Sequence, residues 1–252
     1  MTLSEGALAG RTILVTGGAR RLGAVIVQQL AAAGADVVVH ARESLEAAEA
    51  TAQMARRQGV KAWVVVSDLG DPSSLDRFMD EVLSVTEGRL DGLINNASAF
   101  PKSHLLTVPT EEIEASIRLH ALAPLVLARR LAERAVGGGD IINILDTRIT
   151  TYDAQHAAYH LGKRMLFSLT RMLALELAPR FRVNAVAPGA VLQPEGEDAT
   201  MLKRLAAFNP LQMHGSPQGV ANCVLFLMTC GFITGQTLFY DGGYHLKAAT
   251  YG

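Results

Sequence analysis

The feature that most constrains this chain is a regular alternation of short apolar segments with longer segments of helical periodicity. Short runs rich in Val and Ile indicate buried strands, whereas apolar residues that recur every three or four positions indicate amphipathic helices. The segments interpreted as strands are 12–15, 37–40, 62–66, 92–94, 141–145 and 182–186, with a last one after Gln236. This alternation predicts an α/β protein with a doubly wound parallel sheet of seven strands, covered on both faces, in one domain spanning 1–252.

Composition and charge restrict the class of partner. Of the 252 residues, 49% are hydrophobic, which is enough for a sizeable core. The net charge is −1 and no run of Lys and Arg exceeds two residues, so nothing indicates binding to nucleic acid or to an anionic membrane. The longest nearly apolar stretch, 223–233, is too short to span a bilayer, and the amino terminus does not resemble a signal peptide. We expect a soluble, cytoplasmic protein with a small-molecule ligand.

The cysteines and the paired histidines do not form a recognisable metal site. Cys223 and Cys230 lie in an apolar helical segment, where reduced core residues are expected. His156 and His160 have the spacing of two zinc ligands, but Ala157 stands where a zinc hydrolase needs its Glu base. The sequence therefore predicts no metal.

A carboxylate and a phenol follow the strand at 141–145. Asp146 comes directly after this strand, at the edge where open α/β sheets bind their ligands. Tyr159 and Lys163 follow in a helical segment, and their spacing places phenol and ammonium on one helix face. A nearby cation would lower the pKa of a phenol and make it a proton donor near neutral pH. An exposed Tyr and an exposed Lys with no joint role would show the same spacing.

A glycine-rich turn follows the first strand. The residues Thr16-Gly17-Gly18-Ala19-Arg20-Arg21-Leu22-Gly23 separate it from an amphipathic helix. Glycines let the backbone approach a pyrophosphate closely, and the helix amino terminus offers N–H groups and positive potential. A turn that serves only packing would look similar, but the strand before it and the helix after it favour a nucleotide site.

The end of the second strand favours NADP over NAD. An NAD site usually has an acidic residue there for the ribose 2′-hydroxyl, whereas this chain has His40, Ala41 and Arg42, with Ser44 nearby. A guanidinium and a hydroxyl suit a 2′-phosphate. Glu43 complicates this interpretation, and if Arg42 only starts the next helix, the charge has to come from Arg20.

Three further segments lie at predicted strand ends or in a long loop. Asp68 can reach an adenine amino group or only cap a turn, and Leu69 follows it. Asn95 and Asn96 end the fourth strand, where amides can hold a cofactor ribose and neighbouring backbone. The segment at about 190–215 contains a short helix around 199–208 and is interpreted as a substrate loop.

Several motifs together resemble the short-chain dehydrogenase/reductase family over nearly the whole chain. They are Thr16-Gly17 to Gly23, Asn95-Asn96-Ala97, Tyr159-x-x-x-Lys163, Asn184, Pro188-Gly189 and Asp241-Gly242-Gly243. The resemblance implies a Rossmann-type domain in which Tyr159 donates a proton and Lys163 binds the nicotinamide ribose and lowers the Tyr159 pKa. It implies that NADPH contacts Gly17, Arg20, Arg21, Leu22, His40, Arg42, Ser44, Asp68, Leu69, Asn96, Ala97, Ser98, Tyr159, Lys163, Pro188 and Gly189.

Two departures from the common family pattern are similar to the pteridine reductase branch, which includes the bacterial dihydromonapterin reductases. Asp146 stands where most relatives have Ser, and Arg21 where most have Gly. The resemblance implies that Asp146 assists Tyr159 in proton delivery, that Phe100 stacks on a pterin, and that Arg21 helps to hold substrate and cofactor phosphate. The implied substrate contacts are Arg21, Ser98, Phe100, Asp146 and Tyr159.

A third departure concerns His120, which replaces the helix Asn of the family. It either matches the dihydromonapterin reductases or is a histidine satisfied inside the helical layer. The leading hypothesis is an NADPH-dependent pterin reductase assembled as a homotetramer, with the last helix and strand as contact surfaces. The alternatives are a carbonyl reductase that uses Tyr159 and Lys163 on a ketone, and a nucleotide-sensing protein without turnover.

Overall fold

The structure is a computed structural model that describes residues 6–193 and 200–247. Across these residues, seven parallel strands form one sheet in the order β3-β2-β1-β4-β5-β6-β7. The strands are β1 Thr12–Val15, β2 Asp36–Ala41, β3 Ala62–Val66, β4 Gly92–Asn95, β5 Gly139–Ile144, β6 Phe181–Pro188 and β7 Thr237–Tyr240. The predicted fold class is confirmed. Residues 194–199 of the predicted substrate loop lie outside the described residues.

Helices connect the strands and cover both faces of the sheet. They are α1 Arg21–Ala32, α2 Leu45–Arg56, α3 Leu75–Val85, α4 Thr110–Ile117, α5 Ala123–Arg134, α6 Ala157–Glu176, α7 Thr200–Ala206, α8 Pro217–Thr229 and α9 Tyr244–Lys247. None of the helices in these two ranges is both long enough and apolar enough to cross a membrane.

The side chains of β1 show how the strand pattern divides the core into two layers. Ile13 and Val15 point to the face covered by α1, α2 and α8, and Leu14 points to the face covered by α3, α5 and α6. Each of these side chains is fully buried. A parallel strand that is buried on both sides needs an apolar residue at every position, which is why the strands are continuous apolar runs.

The strand order reverses between β1 and β4, and this reversal places the site. After β1 the chain builds β2 and β3 on one side, then returns to pair β4 with β1 on the other. The loops that follow β1 and β4 therefore diverge and leave a crevice at the carboxyl ends of these strands.

Two expectations about local structure are wrong. Apolar periodicity in the sequence predicts one long helix at about 110–135, but a π-helical turn over Arg118–Leu122 separates α4 from α5. Pro124 lacks an amide hydrogen and its ring crowds the preceding turn, so a regular helix cannot continue through it. Cys223 and Cys230 are unpaired thiols as expected, but both are only partly buried.

A buried carboxylate joins elements at the edge of the sheet opposite the crevice. Asp140, with 3% of its surface exposed, pairs with Arg11 at 2.6 Å and with Arg182 at 2.5 Å. Arg182 also donates to the carbonyls of Leu227 and Cys230 at the end of α8. These contacts connect β5, β6 and α8, and the cationic side chains near the last carbonyls suit the dipole of that helix.

We predict that Asp140→Ala lowers the free energy of unfolding by about 3 kcal/mol, because the arginines lose a buried partner. Urea unfolding followed by circular dichroism measures the loss. Asp76→Ala is the matched control, since Asp76 pairs with Arg130 on the surface. We expect it to cost at most about 1 kcal/mol. Equal losses in the two variants would contradict a special contribution of Asp140.

Candidate active site

A cleft of about 370 Å³ opens at the carboxyl ends of the central strands. Twelve of the sequence-predicted site residues line it, namely Gly17, Arg20, Arg21, Leu22, Asn96, Ala97, Ser98, Asp146, Tyr159, Lys163, Pro188 and Gly189. The lining residues that were not predicted are Gly23, Ile144, Leu145, Val191 and Leu192. Gly23 belongs to the recognised glycine motif, whereas the four aliphatic residues carry no chemical signal in the sequence.

The glycine turn packs so tightly that side chains are excluded. A Cβ atom on Gly23 would lie 2.0 Å from the carbonyl oxygen of Gly17, and Gly17 itself has a φ of +62°. The turn delivers the chain into α1, whose N-cap residue, Arg20, makes no side-chain capping bond. The first turn of α1 contains no acidic residue, so no side chain of that turn offsets the positive end of the helix dipole.

Arg21 has an unusual backbone conformation for its residue type. Its φ is +51°, in the left-handed region that glycine adopts without steric cost. For arginine this conformation costs roughly 1–2 kcal/mol. Its guanidinium donates to the carbonyl of Gln193 at 2.6 Å, which spans the cleft from the glycine turn to the predicted substrate loop.

His40 is hydrogen-bonded to the glycine turn. The amide of Gly17 donates to Nδ1 at 3.0 Å, so Nε2 carries the proton and donates to the carbonyl of Ser67 at 2.9 Å. Burial lowers the pKa of His40 to about 4, so the ring is neutral at pH 7. Both ring nitrogens are engaged by backbone, and the neutral imidazole ties the turn to the ends of β2 and β3.

The other residues predicted near the adenosine end lie beyond the cleft lining. Arg42 pairs with Glu43 at 3.1 Å on the surface, and Ser44 makes no capping bond to α2. Asp68 accepts from the amide of Gly70 at 2.8 Å, which is the turn-capping alternative, and Leu69 is buried in the core. Of these side chains, Arg42 and Ser44 present polar groups suited to a phosphate.

The tandem amides after β4 point in opposite directions. Asn96 donates to the carbonyls of Thr16 at 2.9 Å and of Gly17 at 3.0 Å. Asn95 is buried and donates to Asn143 on β5 at 2.8 Å. Asn96 therefore joins the ends of β1 and β4 where the crevice opens, whereas Asn95 belongs to the interior.

Tyr159 and Asp146 are joined directly. The Tyr159 hydroxyl donates to Asp146 Oδ2 at 3.1 Å, and Asp146 Oδ1 accepts from the amide of Arg148 at 2.8 Å. Burial of the phenol and the adjacent carboxylate raise the pKa of Tyr159 well above its usual value. The prediction of a lowered Tyr159 pKa is wrong for this structure, because burial and the carboxylate, which is the direct partner of the phenol, dominate the shift.

Lys163 is buried beneath the tyrosine. Its ammonium donates to the carbonyl of Ile144 at 2.6 Å and lies 5.8 Å from the centre of the Tyr159 ring. Burial lowers the pKa of Lys163 to about 8, an effect opposed by the charge of Asp146. The site thus contains a phenol that retains its proton and an ammonium close to losing one.

Both ring nitrogens of His120 make hydrogen bonds within the protein, and the ring also contacts Ser98 at the site. The amide of Ala99 donates to Nε2 at 3.2 Å, and Nδ1 donates to the carbonyl of Ser116 at 2.9 Å. The Ser98 hydroxyl lies 3.1 Å from Nε2, an acceptor in this tautomer. Burial, together with the charge of Lys163, lowers the pKa of His120 to about 3. His120 therefore anchors the loop after β4 as a neutral ring.

Phe100, which was predicted to contact the substrate, lies beside Tyr159 but is not among the residues that line the cleft. The centres of the Phe100 and Tyr159 rings are 4.7 Å apart and the rings are almost perpendicular. Phe100 is also stacked on His156, with ring centres 3.8 Å apart. The spacing of His156 and His160 had indicated only a possible metal pair, so the stacking of His156 on Phe100 was not predicted. Across the described ranges no three His, Cys, Asp or Glu side chains are placed to hold a metal.

Comparisons with known proteins find one matching family model and several similar proteins. The family model described as enoyl-(acyl carrier protein) reductase matches residues 17–245. Dihydromonapterin reductase of Enterobacter sp. is 30% identical, covering 92% of this chain and 96% of its own. FolM alternative dihydrofolate reductase 1 of Brucella canis, solved with NADP, is 32% identical with a TM-score of 0.87 and covers 96% of this chain and 97% of its own. The angucycline C-6 ketoreductase LanV, solved with NADP, is 28% identical with a TM-score of 0.89. The match covers 96% of this chain and 98% of the LanV chain.

We predict that His40 makes the protein acid-sensitive. The pKa of His40 is about 4 in the folded chain and 6.5 ordinarily, so as the pH falls from 6.5 to 4 the unfolded chain gains a proton that the folded chain does not. This contributes a stability loss on the order of 3 kcal/mol. Urea unfolding at pH 7.5 and 4.5 should show a smaller loss for His40→Gln than for the wild type. His214→Gln, on the surface, is the control. Identical pH dependence in His40→Gln and the wild type would contradict the prediction.

Proposed function

Because the chain belongs to the short-chain dehydrogenase/reductase family, we propose that it is an NADPH-dependent reductase of pterins. Its substrate would be dihydromonapterin, dihydrobiopterin or dihydrofolate, which it reduces to the tetrahydro form. The observation that carries this proposal is the hydrogen bond of Tyr159 to Asp146 with the Phe100 ring alongside. The dihydromonapterin reductase and FolM relatives support the same substrate class.

The residues at the glycine turn fit a dinucleotide. The amino terminus of α1, the tight turn at Gly17 and the lining guanidinium groups of Arg20 and Arg21 suit a pyrophosphate. Arg42 and Ser44 would hold a 2′-phosphate, although Arg42 must then leave its ion pair with Glu43. NADPH, when bound, supplies a hydride. The solved FolM and LanV structures contain NADP, which supports this cofactor.

Asp146 and Tyr159 would supply the proton that a ring C=N bond needs at nitrogen. The carboxylate accepts from the phenol and raises its pKa, so Tyr159 is protonated when the substrate arrives. A phenol of high pKa is a weak acid, and its proton moves when charge develops on the substrate nitrogen. Lys163, at 5.8 Å from the ring, contributes a cation that favours the resulting phenolate.

The other polar groups suit a flat heteroaromatic ring. Phe100 offers an aromatic surface, with 41% of the residue exposed. Ser98 and Arg21 also line the cleft. An aminopyrimidinone edge can hydrogen-bond to these groups while the ring lies against Phe100.

Ketone reduction is the second candidate function, supported by the similarity to the LanV ketoreductase. Tyr159 and Lys163 suit a ketone oxygen as well as a ring nitrogen, but Asp146 and Phe100 favour the pterin. Initial rates of NADPH oxidation with three dihydropterins and a panel of ketones separate the two functions. The same rates with NADH test the cofactor preference.

We predict that Tyr159→Phe lowers kcat for dihydropterin reduction by 10²- to 10⁴-fold, the usual contribution of a positioned general acid. Tyr152→Phe is the matched control, because Tyr152 is 89% exposed, and its rate should stay within about two-fold of the wild type. A Tyr159→Phe rate equal to that of Tyr152→Phe would refute the proton-donor role. Turnover of ketones alone by the wild type would refute the pterin assignment.

We also propose a homotetramer that uses β7 and the outer side of α8. Among the described strands β7 pairs only with β6, so its second edge can meet another chain. Most apolar residues of α8, such as Val220 and Val224, pack inside the subunit, and Phe226 and Phe232 are exposed. Light scattering should give four times the 26.9 kDa chain mass. A monomer would refute this proposal.

Cytoplasmic location stays a prediction of the sequence.

A further inference from the structure

One face of the Phe100 ring is covered by His156. The two rings are 3.8 Å apart between centres and nearly parallel, with an interplanar angle of 14°. Phe100 nevertheless remains 41% exposed, whereas His156 is 9% exposed. Because His156 covers one face, a substrate ring can stack on Phe100 only at the other face.

Asp153 holds His156 in this stacked position. His156 Nδ1 donates to Asp153 Oδ2 at 2.8 Å, and the Arg148 guanidinium donates to the same oxygen at 2.8 Å. The backbone amide of Arg148 donates to Asp146, the partner of Tyr159. One carboxylate thus connects the imidazole under Phe100 with the segment that carries Asp146.

The backbone reinforces the same contact. The Ser103 amide donates to the carbonyl of Gln155 at 2.7 Å, and the amide of Ala157 donates to the carbonyl of Ser103 at 3.0 Å. The Ser103 hydroxyl accepts from the amide of Ala158 at 3.1 Å. These bonds join the loop that carries Phe100 to the start of α6 on both sides of His156, so the two rings are carried by joined segments.

We propose that His156 is a specificity-determining residue that backs Phe100 and thereby makes the site selective for flat, fused-ring substrates. This inference rests on the proposed function for its main substrate, the dihydropterin, and it names the feature of that substrate which the site recognises. An exposed phenylalanine without support has several rotamers, and ordering it on binding would cost affinity. The stacked imidazole removes that cost before the substrate arrives.

The variant pair His156→Phe and His156→Gln separates stacking from hydrogen bonding. Phenylalanine keeps an aromatic ring under Phe100 but cannot donate to Asp153, whereas glutamine can donate but cannot stack. We expect His156→Gln to raise KM for dihydropterin about five-fold, in the range of one aromatic pair, with kcat within two-fold. His156→Phe should keep KM within about two-fold of the wild type.

A compact aliphatic ketone is the comparison substrate, because it gains nothing from a flat platform. Its KM should change less than about two-fold in both variants. A purely structural role of His156 would instead lower kcat for both substrates and lower the melting temperature of both variants. Equal KM values for dihydropterin in His156→Gln and the wild type would overturn the inference, as would a five-fold increase in His156→Phe.

Failure of the proposed function has a different signature. If the wild type reduces ketones but no dihydropterin, the series is repeated with a polycyclic aromatic ketone in place of the pterin. A rise in KM for the polycyclic ketone, but not for the aliphatic ketone, in His156→Gln would still support the inference. If no substrate turns over, fluorescence quenching measures binding of dihydrofolate with NADP⁺ present. Unchanged binding in His156→Gln, or no binding by the wild type, would overturn it.

Discussion

The structure depends on the junction of β1 and β4, where the strand order reverses. Asn96 donates to the carbonyls of Thr16 and Gly17 and so joins the ends of the two strands at the mouth of the crevice. The close approach of Gly23 to Gly17 allows α1 to begin directly at this junction. Because the crevice lies between loops that diverge from this point, its other residues are placed relative to it.

Burial, more than direct ion pairing, sets the pKa values of the titratable side chains at the site. Burial raises the pKa of the Tyr159 phenol and lowers the pKa of Lys163, and in each case the neutral form is favoured. The same effect keeps His40 and His120 neutral, so that each ring can accept one backbone hydrogen bond and donate another. Asp146, which is partly exposed at a strand end, accepts hydrogen bonds from both Tyr159 and the Arg148 amide.

Much of the fold could be predicted from local patterns. The strands at 12–15 and 62–66 have the predicted bounds, and the other strands differ by one to a few residues at their ends, because continuous apolar runs and their polar ends are visible in the sequence. The break at Arg118–Leu122 was missed although Pro124 was visible, since apolar periodicity continues through it. The candidate site could be predicted where motif residues end a strand, as at Asp146 and Asn96.

What escaped prediction is contact between segments that are distant in sequence. Nothing in the order of residues indicates that His156 stacks on Phe100, that His40 braces the glycine turn, or that Arg21 reaches Gln193. By itself the sequence determined the parallel α/β architecture and the set of reactive residues at strand ends, because hydrophobic periodicity and glycine spacing act locally. Only the tertiary structure decided the partners of those residues and the pKa of Tyr159, because burial and cross-chain hydrogen bonds exist only after the layers have packed.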